Sequence, residues 1–95
     1  MSLVSFSPAA LSDIDQIWTY TAENWGLDQA DRYVDDIHNA CLDLADGVKQ
    51  GRQVDVRVGY LKYAIGRHLI FYRLSDVGIS VVRVLHQSMD VDRHL

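Results

Sequence analysis

The order of local patterns along the chain predicts an α+β two-layer sandwich, β-α-α-β-β-β, with a helical hairpin packed on a mainly antiparallel sheet. Three observations predict it. Two long segments carry apolar residues at three-and-four spacing, a short glycine-bearing link joins them, and the C-terminal half alternates β-branched and aromatic residues with polar ones. At 95 residues the chain, 1–95, reads as a single domain, because one core usually serves about 100–150 residues.

Residues 2–6 read as a short strand. Ser7-Pro8 then starts a helix: the serine hydroxyl can accept from a free backbone amide, and proline at the first helical position forfeits no hydrogen bond. Leu11, Ile14, Ile17, Trp18, Ala22 and Trp25 form its expected buried stripe, and Gly26 its stop. Tyr20 falls off that stripe and is expected at the surface. Asp28 reads as the N-cap of a second helix with the stripe Ala30, Tyr33, Val34, Ile37, Cys41 and Leu44, ending at Gly47. So short a link forces the two helices antiparallel.

Residues 47–56 lack periodicity and read as a loop. Strands are expected at 57–65, 67–74 and 79–86, with a turn over Ser75-Asp76-Val77-Gly78. Regular alternation puts Arg67, Leu69, Phe71 and Arg73 on one face of the middle strand, and Ile79, Val81, Arg83 and Leu85 on one face of the last. The helices cover one side of this sheet, and the other is expected to stay bare and arginine-lined. The tail, Gln87 to Leu95, carries Met89, Val91 and Leu95 as anchors for the hairpin or for a partner.

Hydrophobic residues at 48% and charged residues at 23% exclude a disordered chain. No apolar run approaches the roughly 20 residues that span a bilayer, and no secretory signal is evident, so the expected location is cytoplasmic with no membrane partner. The lone Cys41 falls in a helical stripe and reads as core. Net charge is −4, but residues 1–48 carry −8 and residues 49–95 carry +4. Such polarity implies an acidic and a basic face. Arginine outnumbers lysine seven to two, which suits bidentate grip on carboxylates or phosphates.

No phosphate loop, nucleophile elbow or helical histidine pair is present. His86, Asp90 and His94 have metal-ligand chemistry but no local pattern to fix a geometry, so no metal and no cofactor is expected. Arg67, Arg73, Arg83 and His86 are the one arrangement with catalytic potential, as phosphate binders and a general acid or base in RNA cleavage. Arg83 and His86 are three apart, however, and in a regular strand face opposite ways unless a bulge intervenes.

The pattern Ala10…Asp13-Ile14…Ile17-Trp18-Thr19-Tyr20…Trp25-Gly26…Gln29-Ala30…Tyr33…Ile37 resembles the helical hairpin of the ParE toxins. Arg57-Val58-Gly59-Tyr60, the run from Gly66 to Arg73, and the run from Val82 to Asp90 resemble that family's sheet and tail, so the likeness spans nearly the whole chain. It departs at Asp46-Gly47-Val48-Lys49, where a proline commonly follows the second helix. The resemblance implies the toxin of a bacterial type II toxin–antitoxin module in the RelE/ParE superfamily. Such a toxin inhibits DNA gyrase by binding its DNA complex, is not an enzyme, and is neutralised by a ParD-like antitoxin, with no direct sequence-specific nucleic-acid binding. The alternative is a RelE-like ribosome-dependent mRNA endoribonuclease, for which only Arg67, Arg83 and His86 answer to catalytic roles. The residues expected to bind antitoxin or target are Tyr20, Arg57, Arg67, Arg73, Arg83, His86 and Met89.

Overall fold

The computed structural model describes residues 2–55 and 57–95. Strand β1 (Leu3–Phe6) leads into α1 (Pro8–Trp25) and α2 (Leu27–Ala45). Then come β2 (Arg52–Gln53), β3 (Leu61–Ile65), β4 (His68–Ser75), β5 (Gly78–His86) and a last helical turn, α3 (Val91–His94). The strands form one sheet in the order β1-β5-β4-β3-β2, antiparallel except for β1, which runs parallel to β5. Both long helices pack against one face, giving the expected α+β two-layer sandwich.

The helix signals act as anticipated at α1. The Ser7 hydroxyl accepts from the Ala10 amide at 3.0 Å, and Pro8 occupies the first helical position. The hairpin is tighter than expected: Gly26 alone links the helices, at φ 94, a backbone region that disfavours side chains. Gly26, not Asp28, is therefore the residue that precedes α2.

The buried stripe of α1 is rotated from the sequence reading. Ala10, Asp13, Ile14, Ile17 and Thr21 face the sheet, whereas Leu11 and Trp25 are exposed. Ile14 and Ile17 keep their expected places, and the small or polar Ala10, Asp13 and Thr21 fill the rest of the buried face in place of Leu11 and Trp25. Thr21 is tolerated there because its hydroxyl donates to the Ile17 carbonyl at 2.7 Å. Trp18 is half-buried, its indole N–H donating to Asp31 on α2 at 2.9 Å. On α2 the expected stripe holds: Ala30, Ile37, Cys41 and Leu44 are buried, with Ala40 added. Burial pushes the Cys41 thiol up to about 11, which fits an inert core residue.

In the sheet, residues 57–60 form a bend and turn instead of the start of a strand, and the short β2 lies within the expected loop. The hairpin register of β4 and β5 slips by one between Phe71 and Tyr72, leaving Val82 as an extra residue. Up to that point Ile79 and Val81 face the helices; beyond it Val84 does, and Leu85 turns to the other side.

That other side is not bare. Phe71, Leu85 and Val54 form a second, smaller cluster, roofed by Tyr60 and Leu69 and by Val91 and Leu95 of the tail. The tail thus anchors to the sheet, not to the helical hairpin. An uncovered Phe71 and Leu85 would each forfeit about 2 kcal/mol of burial, which the chain recovers by folding its own end over them.

Candidate functional site

Beyond Phe6, β1 no longer pairs with β5, and the turn into α1 takes over that edge. The Ser7 amide donates to the Val81 carbonyl at 2.9 Å, the Ser7 hydroxyl to the Val82 carbonyl at 2.6 Å, and the Asp13 carboxylate accepts from the Val84 amide at 3.0 Å. Asp13 also holds Arg83 through two bonds, Nε to Oδ2 at 2.8 Å and Nη2 to Oδ1 at 2.9 Å. A third guanidinium N–H reaches the His94 carbonyl at 3.0 Å. The hydrogen bond to Asp13 raises the Arg83 guanidinium's affinity for its proton. Arg83, expected to face a partner, here directs three of its five N–H groups to the chain's own carboxylate and tail, which gives it a fold-holding role.

Past this clamp a cleft opens between α1, the start of α2 and the end of the sheet. One part, about 420 Å³, is lined by Asp13, Tyr20, Thr21, His68, His86 and Met89 among others. The adjoining part, about 340 Å³, runs past Trp25, Gln29, Tyr33 and Arg67. Of the expected contact residues, Tyr20, Arg67, His86 and Met89 meet here. Tyr20 and Trp25 are both exposed and lie ring against ring at 6.0 Å.

The one-residue slip in β5 builds the centre of the cleft. It sets His86 directly across from His68, with the two rings edge to face at 5.3 Å. His68 Nδ1 lies 2.6 Å from the Tyr33 hydroxyl, which also reaches the Ile65 carbonyl at 3.2 Å. Burial, and secondarily the neighbouring His86, holds the His68 imidazole below the usual histidine range. Burial likewise raises the Tyr33 phenol. The Ser88 amide donates to His86 Nδ1 at 3.1 Å, so the neutral His86 ring carries its proton on Nε2. Gly66, at φ 53, turns the chain between β3 and β4; a Cβ there would sit 2.6 Å from the Tyr33 oxygen.

Of the three candidate catalytic residues, Arg67 and His86 share the cleft, while the Arg83 guanidinium is held by Asp13 and the His94 carbonyl. Among the described residues no cluster of three or more His, Cys, Asp or Glu side chains is arranged to hold a metal. Nor is any helix among them long and apolar enough to cross a membrane.

The other expected contact residues, Arg57 and Arg73, lie on the opposite face of the sheet. Both sit by the Tyr60 ring, their guanidinium carbons 6.0 and 5.3 Å from its centroid. The arginines are thus divided between two surfaces and do not form one patch. The sequence reading missed His68 as a cleft residue. The alternation of β4 put His68 on the helix side, but nothing in the sequence announced the bulge that brings His86 to it.

Comparison with known proteins agrees with this architecture. The family described as "ParE toxin of type II toxin-antitoxin system, parDE" matches residues 4–91. The chain is 46% identical over 91 residues to Toxin ParE1 of Mycobacterium tuberculosis, covering 94% of this chain and 93% of that protein. It is 38% identical over 90 residues to Toxin ParE1 of Caulobacter vibrioides, with coverage of 94% and 93%. In three dimensions it resembles the structure titled "Chromosomal ParDE TA system from P. aeruginosa", with a TM-score of 0.77, 19% identity and coverage of 90% and 96%. The dimer of YoeB from Staphylococcus aureus follows with a TM-score of 0.64, 18% identity and coverage of 90% and 95%. With a capped helical hairpin on a five-stranded sheet and a family match running almost end to end, the chain belongs to the ParE toxins of type II toxin–antitoxin systems.

Proposed function

We propose that this toxin arrests DNA gyrase by binding the enzyme on its cleaved DNA, and that a ParD-like antitoxin neutralises it by covering the cleft beside α1. The observation that carries the reading is the cleft. Exposed Tyr20 and Trp25 stand beside Arg67, which forms no ion pair among the described residues, and no complete catalytic set accompanies them there. Aromatic rings next to a free guanidinium are typical anchors for a protein partner. An antitoxin segment that folds on binding would insert apolar side chains between the rings and set a carboxylate on Arg67. Tyr20, Arg67, His86 and Met89 are the contact residues of this reading. Arg57 and Arg73 would meet a different part of the assembly.

The test is a supercoiling assay with purified toxin and gyrase. Supercoiling stops and cleaved DNA accumulates, and Tyr20→Ala with Trp25→Ala relieves the block. Unimpaired supercoiling at saturating toxin refutes the reading. The His68–His86 pair gives the ribonuclease alternative its one supporting feature. That alternative requires codon-linked cuts in translated messages that disappear in His86→Ala, and uncut messages in toxin-arrested translation eliminate it.

A further inference from the structure

We propose that the sheet face opposite the helices is a docking surface for single-stranded nucleic acid, gripped through its phosphates and without sequence preference. Regular alternation places Arg52, Lys62 and Arg73 on this face, and Arg57 leans on Tyr60 from the adjoining loop. Among the described residues none of these four cations forms an ion pair; the pairs present are Lys49–Asp43, Arg83–Asp13 and Arg93–Asp90. Arg52 and Lys62 are moreover direct cross-strand partners. Like charges facing each other across a ladder oppose folding, and no carboxylate offsets them here. An anion supplied from outside would.

The chemistry favours nucleic acid over an acidic protein segment. The apolar centre of this face, Phe71 and Leu85, is already sealed by Val91 and Leu95, which leaves a protein segment the hollow of about 390 Å³ beside Arg52 and Lys62 in place of a buried apolar anchor site. A phosphate backbone needs only the charges, and the partly exposed Tyr60 ring adds a platform for a base. Among the described residues the helical element on this face is the single turn α3, which packs Val91 on the second cluster and is too short to enter a duplex groove. The overall charge of −4 does not forbid this, because nearly all of the first half's acids ride on the helix layer; the tail that crosses this face adds Asp92, and Asp90, which lies 3.9 Å from Arg93. The molecule's smallest extent is 21 Å, more than twice the roughly 8 Å over which physiological salt screens a charge.

The experiment is fluorescence anisotropy of a labelled oligothymidylate of about 20 nucleotides, longer than a typical single-strand site. No gyrase is present, so failure here leaves the gyrase reading untouched, and the reverse holds. Three to four phosphate contacts predict a log–log salt slope of about −2 to −3, hence a loss of about 15–60-fold in affinity between about 50 and 200 mM salt. Lys62→Glu weakens binding at least about tenfold and flattens the slope by about 0.7 or more, as a lost phosphate contact should. The same variant gains an ion pair with Arg52 and is at least as heat-stable as the parent, so its loss of binding is not unfolding. Arg32→Glu, on the helix layer, binds as the parent does. No salt-dependent binding at the lowest salt, or an equal loss in Arg32→Glu, overturns the proposal. Equal affinity for poly-glutamate assigns the face to an acidic protein instead, and tighter binding to duplex overturns the single-strand assignment.

Discussion

Asp13 and Arg83, 70 positions apart in the chain, are joined by two parallel hydrogen bonds of 2.8 and 2.9 Å, and Asp13 accepts a third bond from the Val84 amide. The carboxylate side chain is only 10% exposed. One acid thus fastens the first helix to the last strand where β1 has run out. Removing either partner strands a charge in a dry place, which costs about 3–5 kcal/mol. Asp13→Ala is expected to lower Tm by about 12–40 °C at the usual sensitivity of a domain this size. Arg83→Met lowers it similarly, and the double variant falls well short of the sum of the two. Calorimetry of the four proteins checks the coupling.

Acid should loosen the molecule through His68. Its folded value lies below the ordinary histidine value because burial and then His86 disfavour the charged ring. In the interval between the folded value and about 6.5 the unfolded chain holds the extra proton. Stability is therefore complete above about pH 6.5 and declines as the pH falls through that interval. Urea midpoints measured from neutral pH downward should show the decline, and His68→Gln should flatten it.

Gly66 cannot be replaced without cost. Its φ of 53 disfavours any side chain, and a Cβ would press on the Tyr33 ring and hydroxyl at 2.6–2.8 Å. Gly66→Ala is expected to cost about 1–3 kcal/mol. Because the strain falls on Tyr33, the histidine NMR signals of His68 should shift as well. A variant with unchanged stability and unchanged signals would contradict the geometry.

Truncation of the tail bears on the second cluster. Deleting Val91 to Leu95 uncovers Phe71 and Leu85 and removes the His94 carbonyl from Arg83. A loss of about 2–4 kcal/mol is expected from the exposed apolar surface. The helical signal in circular dichroism should persist, since α1 and α2 lie on the other face. The sequence left the tail an anchor for the hairpin or for a partner; its packing on the sheet predicts a measurable loss.

The aromatic rim should separate binding from stability. Tyr20 and Trp25 are 59% and 65% exposed. Replacing either with alanine is expected to move Tm by less than about 0.5 kcal/mol's worth, as surface changes do. Loss of a central aromatic anchor would cost an antitoxin complex about 2 kcal/mol or more, roughly thirtyfold in Kd. Titration calorimetry with a ParD-like antitoxin reads both variants.

Much of this fold was legible because strong local signals agree with one another. Ser7-Pro8 fixed the start of α1, Gly26 the hairpin, and alternation in β4 correctly separated His68 and Tyr72 from Phe71 and Arg73. The parallel docking of β1 on β5 was not legible, since edge pairing at such separation leaves no local trace. Nor was the bulge at Val82, where an extra residue reverses every later side chain and moves Leu85 out and His86 in. Arg83 read as a free cation because its counter-charge lies 70 residues upstream on another element. The candidate site was therefore half visible: its residues were nameable, but which of them share a surface depended on one inserted residue.

The parallel pairing of β1 with β5 also governs when a newly made chain becomes harmful. Leu3 to Phe6 find their neighbours only after Gly78 to Val81 exist, and Asp13 waits for Arg83 in the same way. Contacts of such long range form late. A polypeptide released before β5 is translated has one wall of the cleft and no means of closing the other. Interrupted synthesis would therefore yield an inert fragment, and poisoning would begin only with a finished molecule.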